Sequence, residues 1–156
     1  MTKLALCVAL ISIIGIAGFL PFSGTDVAKL HPVEVLIVDS TNEGIMIRTD
    51  TGLYGVGENV DSAIEDLKRS ASGEIFMETA NYILLRKESE HFLSEFYMHL
   101  RPACQVYILE GEGELKNVAK YLEVHPSKVT VLSYRQGETN ASRLVIQNGV
   151  FDIVES

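Results

Sequence analysis

The sequence predicts an α/β (α+β) fold: a small mixed β-sheet covered by about three helices and preceded by an N-terminal transmembrane helix. Three observations lead to this prediction. The chain opens with a long uncharged apolar run, continues with two strand-like segments around a turn, and then alternates helical and strand periodicity. Such alternation is typical of helices packed on a mixed sheet, and 156 residues suffice for one domain of this kind.

The apolar run covers residues 4–22, which contain no charged side chain. A helix of this length roughly matches the ~30 Å apolar core of a bilayer. We therefore predict a retained signal anchor over residues 1–23 and a linker over residues 24–32. A cleaved signal peptide is the alternative, although secretory signals have a shorter apolar core and small residues at the cleavage site. Lys3 ahead of the span favours a cytoplasmic N-terminus, so residues 33–156 are expected outside the cytoplasm.

The charge balance limits the partners of this external domain. The chain has a net charge of −8, and its acidic residues all follow the apolar run. A surface of that sign repels nucleic acid and anionic headgroups, so we expect no nucleic-acid partner and membrane contact only through the N-terminal helix. Cys7 and Cys104 cannot easily pair, because the first lies inside the apolar run. The domain is therefore expected to be held together by its core.

The first half of the domain reads as three strands and a helix. Residues 33–40 and 44–49 have strand composition and flank the turn 41–44, and a second turn at 50–52 leads into a short strand, 53–58. The following helix has one apolar stripe and a charged opposite side, which indicates a surface helix. The stripe consists of Val60, Ala63, Ile64, Leu67 and Ala71.

The second half continues the alternation. It contains predicted strands at 81–85, 103–111 and 127–134 and predicted helices at 88–100 and 113–125. The C-terminal apolar segments flank Asn148 and Gly149. An Asn-Gly pair in that position is a strong signal for a type I′ hairpin.

The segment "GLYGVGENVDSAIEDL", residues 52–67, has the outline of a phosphate-binding loop. A dinucleotide site, however, needs a third small residue where Val60 stands. Glu58 and Asp61 would also repel a pyrophosphate at the helix N-terminus, while they complement the helix dipole without a ligand. With Asn59 as N-cap, the segment around Gly57 is predicted to be a structural joint, and no cofactor is expected.

One metal-ligand pattern is present. His91, Glu95 and His99 follow one another at intervals of four residues, so an α-helix would place all three on one face. Imidazole and carboxylate groups at this spacing can ligate zinc. The same face would also be the solvent face of the helix, which is the interpretation we favour; the metal site is the alternative.

One protein family has the same order of elements. In "GENVDSAIEDL" a strand ends in Gly57, and the following helix has a polar cap, an apolar residue, an alanine and a leucine: Asn59, Val60, Ala63 and Leu67. The next strand is "NYILL". In "FYMHLRPACQVYIL" Arg101 precedes a further strand, and the helix after it is "GELKNVAKYL". From residue 33 to about 135 the chain resembles the N-terminal domain of the C subunit of Ger-type spore germinant receptors. The resemblance implies an extracytoplasmic, non-catalytic assembly domain in an endospore-forming bacterium.

The expected function is therefore a membrane-anchored external domain that acts by protein–protein contact in a bacterial cell-envelope complex linked to sporulation or germination. Its partners would be other membrane or envelope proteins, and a homo-oligomer is one option. The rival hypothesis is an exported small-ligand or metal-dependent enzyme that uses His91, Glu95 and His99. A domain secreted after signal cleavage is the alternative localisation.

Overall fold

A computed structural model describes residues 30–42 and 44–155 of the chain. The predicted anchor, residues 1–23, and linker residues 24–29 lie outside this range. Among the described residues, no helix combines the length and the apolar character that crossing a bilayer requires.

The described residues form nine strands and three α-helices, joined by two stretches of 3₁₀ turns. The first half comprises β1 (Leu30–Pro32), β2 (Val35–Thr41), β3 (Gly44–Thr49), β4 (Tyr54–Gly57), α1 (Val60–Ser70), β5 (Glu74–Phe76), the 3₁₀ turn Met77–Thr79 and β6 (Tyr82–Arg86). The second half comprises the 3₁₀ segment Lys87–Met98, β7 (Gln105–Gly111), α2 (Val118–Val124), α3 (Val131–Arg135), β8 (Ser142–Gln147) and β9 (Val150–Val154).

Seven strands form one mixed sheet in the order β4-β3-β2-β6-β7-β8-β9. The four central strands β2, β6, β7 and β8 are parallel, and β3, β4 and β9 extend the sheet with antiparallel pairs. The prediction of a mixed sheet with helices is confirmed. Four helical elements, rather than three, pack on it: α1, the 3₁₀ segment, α2 and α3.

The end of the predicted linker is part of the fold. Leu30–Pro32 pairs in parallel with Glu74–Phe76 and forms a separate two-stranded sheet. Thr79 holds the chain just after this strand, because its hydroxyl donates to the Val33 carbonyl and accepts from the Val33 amide. The described domain therefore begins before residue 33.

The prediction of a strand at 127–134 is wrong. Thr130 accepts a hydrogen bond from the Ser133 amide, the Ser133 hydroxyl caps the Thr130 amide in return, and α3 starts after this capping box. Reciprocal capping satisfies two backbone donors at once and outweighs the strand propensity of the surrounding residues. Helix α2 also begins later than predicted, because Asn117 has a left-handed backbone (φ 63°).

The two faces of the large sheet carry separate apolar cores. We call the face beneath α1, the 3₁₀ segment and α3 the front face, and the face beneath α2 the back face. The helices leave part of each face bare. Front-facing side chains of β8 and β9 line an open groove, and back-facing residues of β2, β3 and β4 line another.

Candidate interaction surface

The predicted joint is a close contact between β4 and α1. A Cβ atom built on Gly55 would lie 2.2 Å from the Ala63 carbonyl oxygen, and one on Gly57 would lie 2.4 Å from the Ala63 nitrogen. Only glycine leaves room for this approach. The two glycines therefore allow α1 to pack closely on β4, and this packing explains them without a ligand.

Asn59 in the joint and Arg101 before β7 both have structural partners. Asn59 is the N-cap of α1: its side-chain oxygen lies 2.9 Å from the Ser62 nitrogen, and the Ser62 hydroxyl accepts from the Asn59 amide. Arg101 donates through Nε to the Ala80 carbonyl at 3.0 Å. This bond connects the segment before β7 to the segment before β6.

The predicted zinc ligands do not converge. Residues 88–100 were predicted to be an α-helix, whereas Lys87–Met98 forms 3₁₀ turns. Four residues turn an α-helix by about 400°, but a 3₁₀ helix by about 480°. Successive members of His91, Glu95 and His99 therefore point about 120° apart. No group of three potential ligands occurs among the described residues.

Two of these three side chains bind the N-terminus of α1 instead. Glu95 Oε2 accepts from the Val60 amide at 3.1 Å, and His99 Nε2 lies 2.8 Å from Asp61 Oδ1. The His91 ring packs against Phe92, with centroids 4.0 Å apart. A carboxylate at a helix N-terminus satisfies a free backbone donor and complements the helix dipole. Glu95 and His99 thus connect the 3₁₀ segment to α1.

The carboxyl ends of the central strands carry an ion-pair network that the sequence did not indicate. Asp39 accepts from Arg48 Nη2 at 2.7 Å and from Arg86 Nε at 3.1 Å, and Arg86 also donates to the Gly111 carbonyl. Open α/β sheets commonly bind ligands at this end. Here Asp39 is only 14% exposed, and the charged groups bind one another, so the network ties β2, β3, β6 and β7 together.

The nucleophilic side chains have structural surroundings. Burial raises the pKa of the Cys104 thiol to about 12, so the thiol is protonated near neutral pH and is a poor nucleophile. Burial also raises the pKa of Tyr107 to about 12. Its hydroxyl accepts from the Ser127 amide at 2.7 Å and lies 2.8 Å from the His125 carbonyl. These contacts fix the loop after α2.

One exposed Ser–His contact is present. His31 Nε2 lies 3.2 Å from Ser72 Oγ. Activation of a serine also requires a group that orients the base through its other ring nitrogen. In the described part of the chain, no carboxylate bonds that nitrogen of His31. The pair joins β1 to the loop before β5.

The two outer edges of the large sheet differ in their hydrogen bonding. At β4, Tyr54 and Val56 direct their backbone groups outward, because the neighbouring bond from the Thr49 amide to the Leu53 carbonyl sets the alternation. Side chains of α1 bond two of these outward groups. Asp66 Oδ2 accepts from the Val56 amide at 3.0 Å, and the Ser70 hydroxyl donates to the Tyr54 carbonyl at 3.1 Å.

The edge at β9 lacks such covering. Asn148 and Gly149 have φ angles of 53° and 76°, as a two-residue type I′ turn requires. Gln147 and Val150 then form the hydrogen-bonded pair next to the turn, so Phe151 and Ile153 direct their backbone groups outward. No hydrogen bond from another described residue reaches those outward groups.

An open groove of about 610 Å³ lies beside this edge on the front face. Val145, Val150 and Val154 supply its apolar surface, and the Val150 side chain is among the exposed large apolar groups, at 66%. Glu110 and Arg143 pair across it at 3.3 Å. We name β9 together with this groove the β9 surface. It combines unpaired backbone, apolar side chains and a few charges, as strand-binding edges do.

Sequence reasoning missed this surface. The apolar segment after Asn148-Gly149 was predicted to be one strand of a hairpin, which it is. Its position at the edge depends on the strand order. The one local signal is Asp152, a charge in the middle of the apolar segment "VFDIV", since charges are common on exposed edge strands.

Comparison with protein-family models, with curated proteins and with solved structures found no match to this chain.

Proposed function

We propose that this protein is a membrane-anchored, extracytoplasmic protein-interaction domain of a bacterial cell-envelope complex, and that the β9 surface is its contact site. The observation that carries the proposal is the unpaired, apolar outer edge of β9. A sheet edge with free backbone donors and acceptors pairs readily with a strand of another protein. The uncharged run at residues 4–22 supports the anchor, and the pattern shared with Ger-type receptor C subunits supports a sporulation or germination setting.

The polar clusters support a non-catalytic role. Asp39, Arg48 and Arg86 bind one another, and Glu95 and His99 bind α1. These side chains stabilise the domain through contacts with one another and with the N-terminus of α1. Binding through the sheet edge uses groups that the fold itself leaves unpaired.

Site-specific photo-crosslinking in the native host tests the contact site. A benzophenone amino acid at Val150 is expected to crosslink an envelope protein. Val124 is the matched control, because it is equally exposed (69% against 66%) but lies at the end of α2. Tyr54, 59% exposed on the covered edge, is a second control. Equal yields at the three positions, or none at Val150, would refute the assignment.

Membrane anchoring is tested independently. The full-length protein is expected to remain in the membrane fraction after carbonate extraction and to retain residues 1–23 by intact mass. A soluble protein lacking those residues would contradict the anchor and leave the contact site standing.

A further inference from the structure

We propose that the β9 surface binds an extended segment of a partner protein that places a lysine or arginine opposite Asp152, flanked two residues away on each side by apolar residues. This inference rests on the proposed function, since it names the kind of partner that the β9 surface would take. It follows from the alternation of the edge strand, the charges around the groove and the geometry of strand pairing.

The side chains of β9 alternate between the two faces. Phe151 and Ile153 face back, where Phe151 contacts Tyr121 with ring centroids 5.4 Å apart. Val150, Asp152 and Val154 face front and border the groove. A strand added beside β9 would meet this front-facing row with side chains at every second position.

The charges around the groove indicate which partner residue would lie opposite Asp152, the central residue of the front-facing row. Arg143, the basic residue of the groove, is paired with Glu110 at 3.3 Å, and Lys128 is paired with Glu155 at 3.4 Å. Asp152 is exposed and forms no ion pair with any described residue. The groove therefore carries one unmatched negative charge between two valines.

The geometry of an added antiparallel strand brings the matching charge close. Phe151 and Ile153 would form the hydrogen bonds to the new strand, so Asp152 would occupy a non-hydrogen-bonded pair. Opposed Cβ atoms in such pairs approach to about 4.5–5.5 Å, where opposite charges attract and like charges repel. A lysine or arginine opposite Asp152 would pair with the unmatched negative charge of the groove.

The same geometry disfavours a second copy of the chain. Antiparallel pairing of two β9 strands over their full length would place Asp152 opposite the same residue of the other copy. Like charges directly opposite destabilise a strand pair. A basic segment from a different protein avoids this repulsion.

Peptide binding to the full-length protein in detergent micelles tests the proposal. The probe is the fluorescein-labelled peptide Thr-Val-Thr-Lys-Thr-Val-Thr, whose palindromic sequence suits either strand direction, and its matched control carries Glu in the centre. By fluorescence anisotropy the Lys peptide is expected to bind about fivefold more tightly than the Glu peptide. Asp152→Lys should reverse this preference.

Glu65→Lys is the control variant, because it makes the same charge change at an exposed position of α1. It should preserve the preference for the Lys peptide. Equal binding of the two peptides, or an equal reversal in both variants, would overturn the proposal. If crosslinking from Val150 persists while neither peptide shows a charge preference, the interaction domain stands and the basic partner is refuted.

Sedimentation provides a second readout. The wild-type protein is expected to show no self-association that depends on β9. Self-association abolished by Val150→Lys would make a second copy the occupant and overturn the proposal. The proposal would also be overturned if only Asp152→Thr self-associated without peptide and peptide binding showed no dependence on charge. In that case the role of Asp152 would be to prevent pairing of the exposed edge.

Discussion

The two edge strands of the large sheet, β4 and β9, differ in how their outward backbone groups are covered. In each strand, two residues direct their backbone N–H and C=O groups away from the sheet: Tyr54 and Val56 in β4, and Phe151 and Ile153 in β9. Helix α1 approaches β4 across two glycines, and its Asp66 and Ser70 side chains bond the outward Val56 amide and Tyr54 carbonyl. On β9 the pairing with β8 and the packing of Phe151 and Ile153 against the back-face core hold the strand, and no helix of the described residues covers its outer backbone groups. The difference shows that an edge strand keeps outward backbone groups unpaired where no helix returns to cover it.

The largest expected effect comes from separating α1 from the covered edge. Gly55→Ala should destabilise the protein by about 3 kcal/mol, because the new Cβ would meet backbone atoms of Ala63 and Leu67 that cannot move independently. Urea denaturation of the full-length protein in detergent measures this loss. Gly52→Ala is the control: its φ of +83° disfavours alanine, but no atom lies within 4 Å, so about 1 kcal/mol is expected.

Equal losses for the two glycine variants would mean that α1 shifts to accept the new methyl group, and that its close approach to β4 does not require glycine at position 55.

A second change makes the covered edge resemble the open one. Asp66→Ala combined with Ser70→Ala should cost about 2 kcal/mol, since the Val56 amide and the Tyr54 carbonyl lose their side-chain partners. Hydrogen exchange should show faster exchange of the Val56 amide. Glu65→Ala, an exposed neighbour, should change stability by less than about 0.5 kcal/mol. An unchanged exchange rate at Val56 would argue against protection by α1.

A third change loosens the open edge from its hairpin. Gly149→Ala should cost about 1 kcal/mol, because alanine disfavours the φ of +76°. The loss should appear as faster hydrogen exchange in β8 and β9, with β6 and β7 unaffected. Gly137→Ala introduces a similar strain (φ +100°, no atom within 4 Å) away from the hairpin. If it accelerates exchange in β9 equally, β9 does not open locally.

The smallest effect on stability is expected at Val150, in the proposed contact site. Val150→Thr should change the free energy of unfolding by less than about 0.5 kcal/mol, because Val150 is largely exposed. Val124→Thr should behave alike. Thermal unfolding followed by circular dichroism compares the two. A loss above about 1 kcal/mol for Val150→Thr alone would assign that side chain to folding.

Local features were predictable from the sequence. Asn59 and the Asn148-Gly149 turn act through residues within three positions of themselves, and four residues of the predicted stripe of α1 are buried: Val60, Ala63, Ile64 and Leu67. The type of helix was not predictable in the same way. The 3₁₀ segment buries Leu93 and Phe96, which an α-helix would also have buried. Periodicity reports which residues are inside, and it does not resolve whether four residues complete 400° or 480° of rotation.

The sequence by itself therefore determined the hairpin turn at Asn148-Gly149 and the capped start of α1, because backbone and capping preferences act over a few residues. Only the tertiary structure decided which strands stand at the edges and which edge is covered. That choice depends on contacts between residues far apart in the chain, such as Val35 with Tyr82 and Tyr107 with Ser142. A local pattern cannot encode such pairings, since many strand orders bury the same apolar residues.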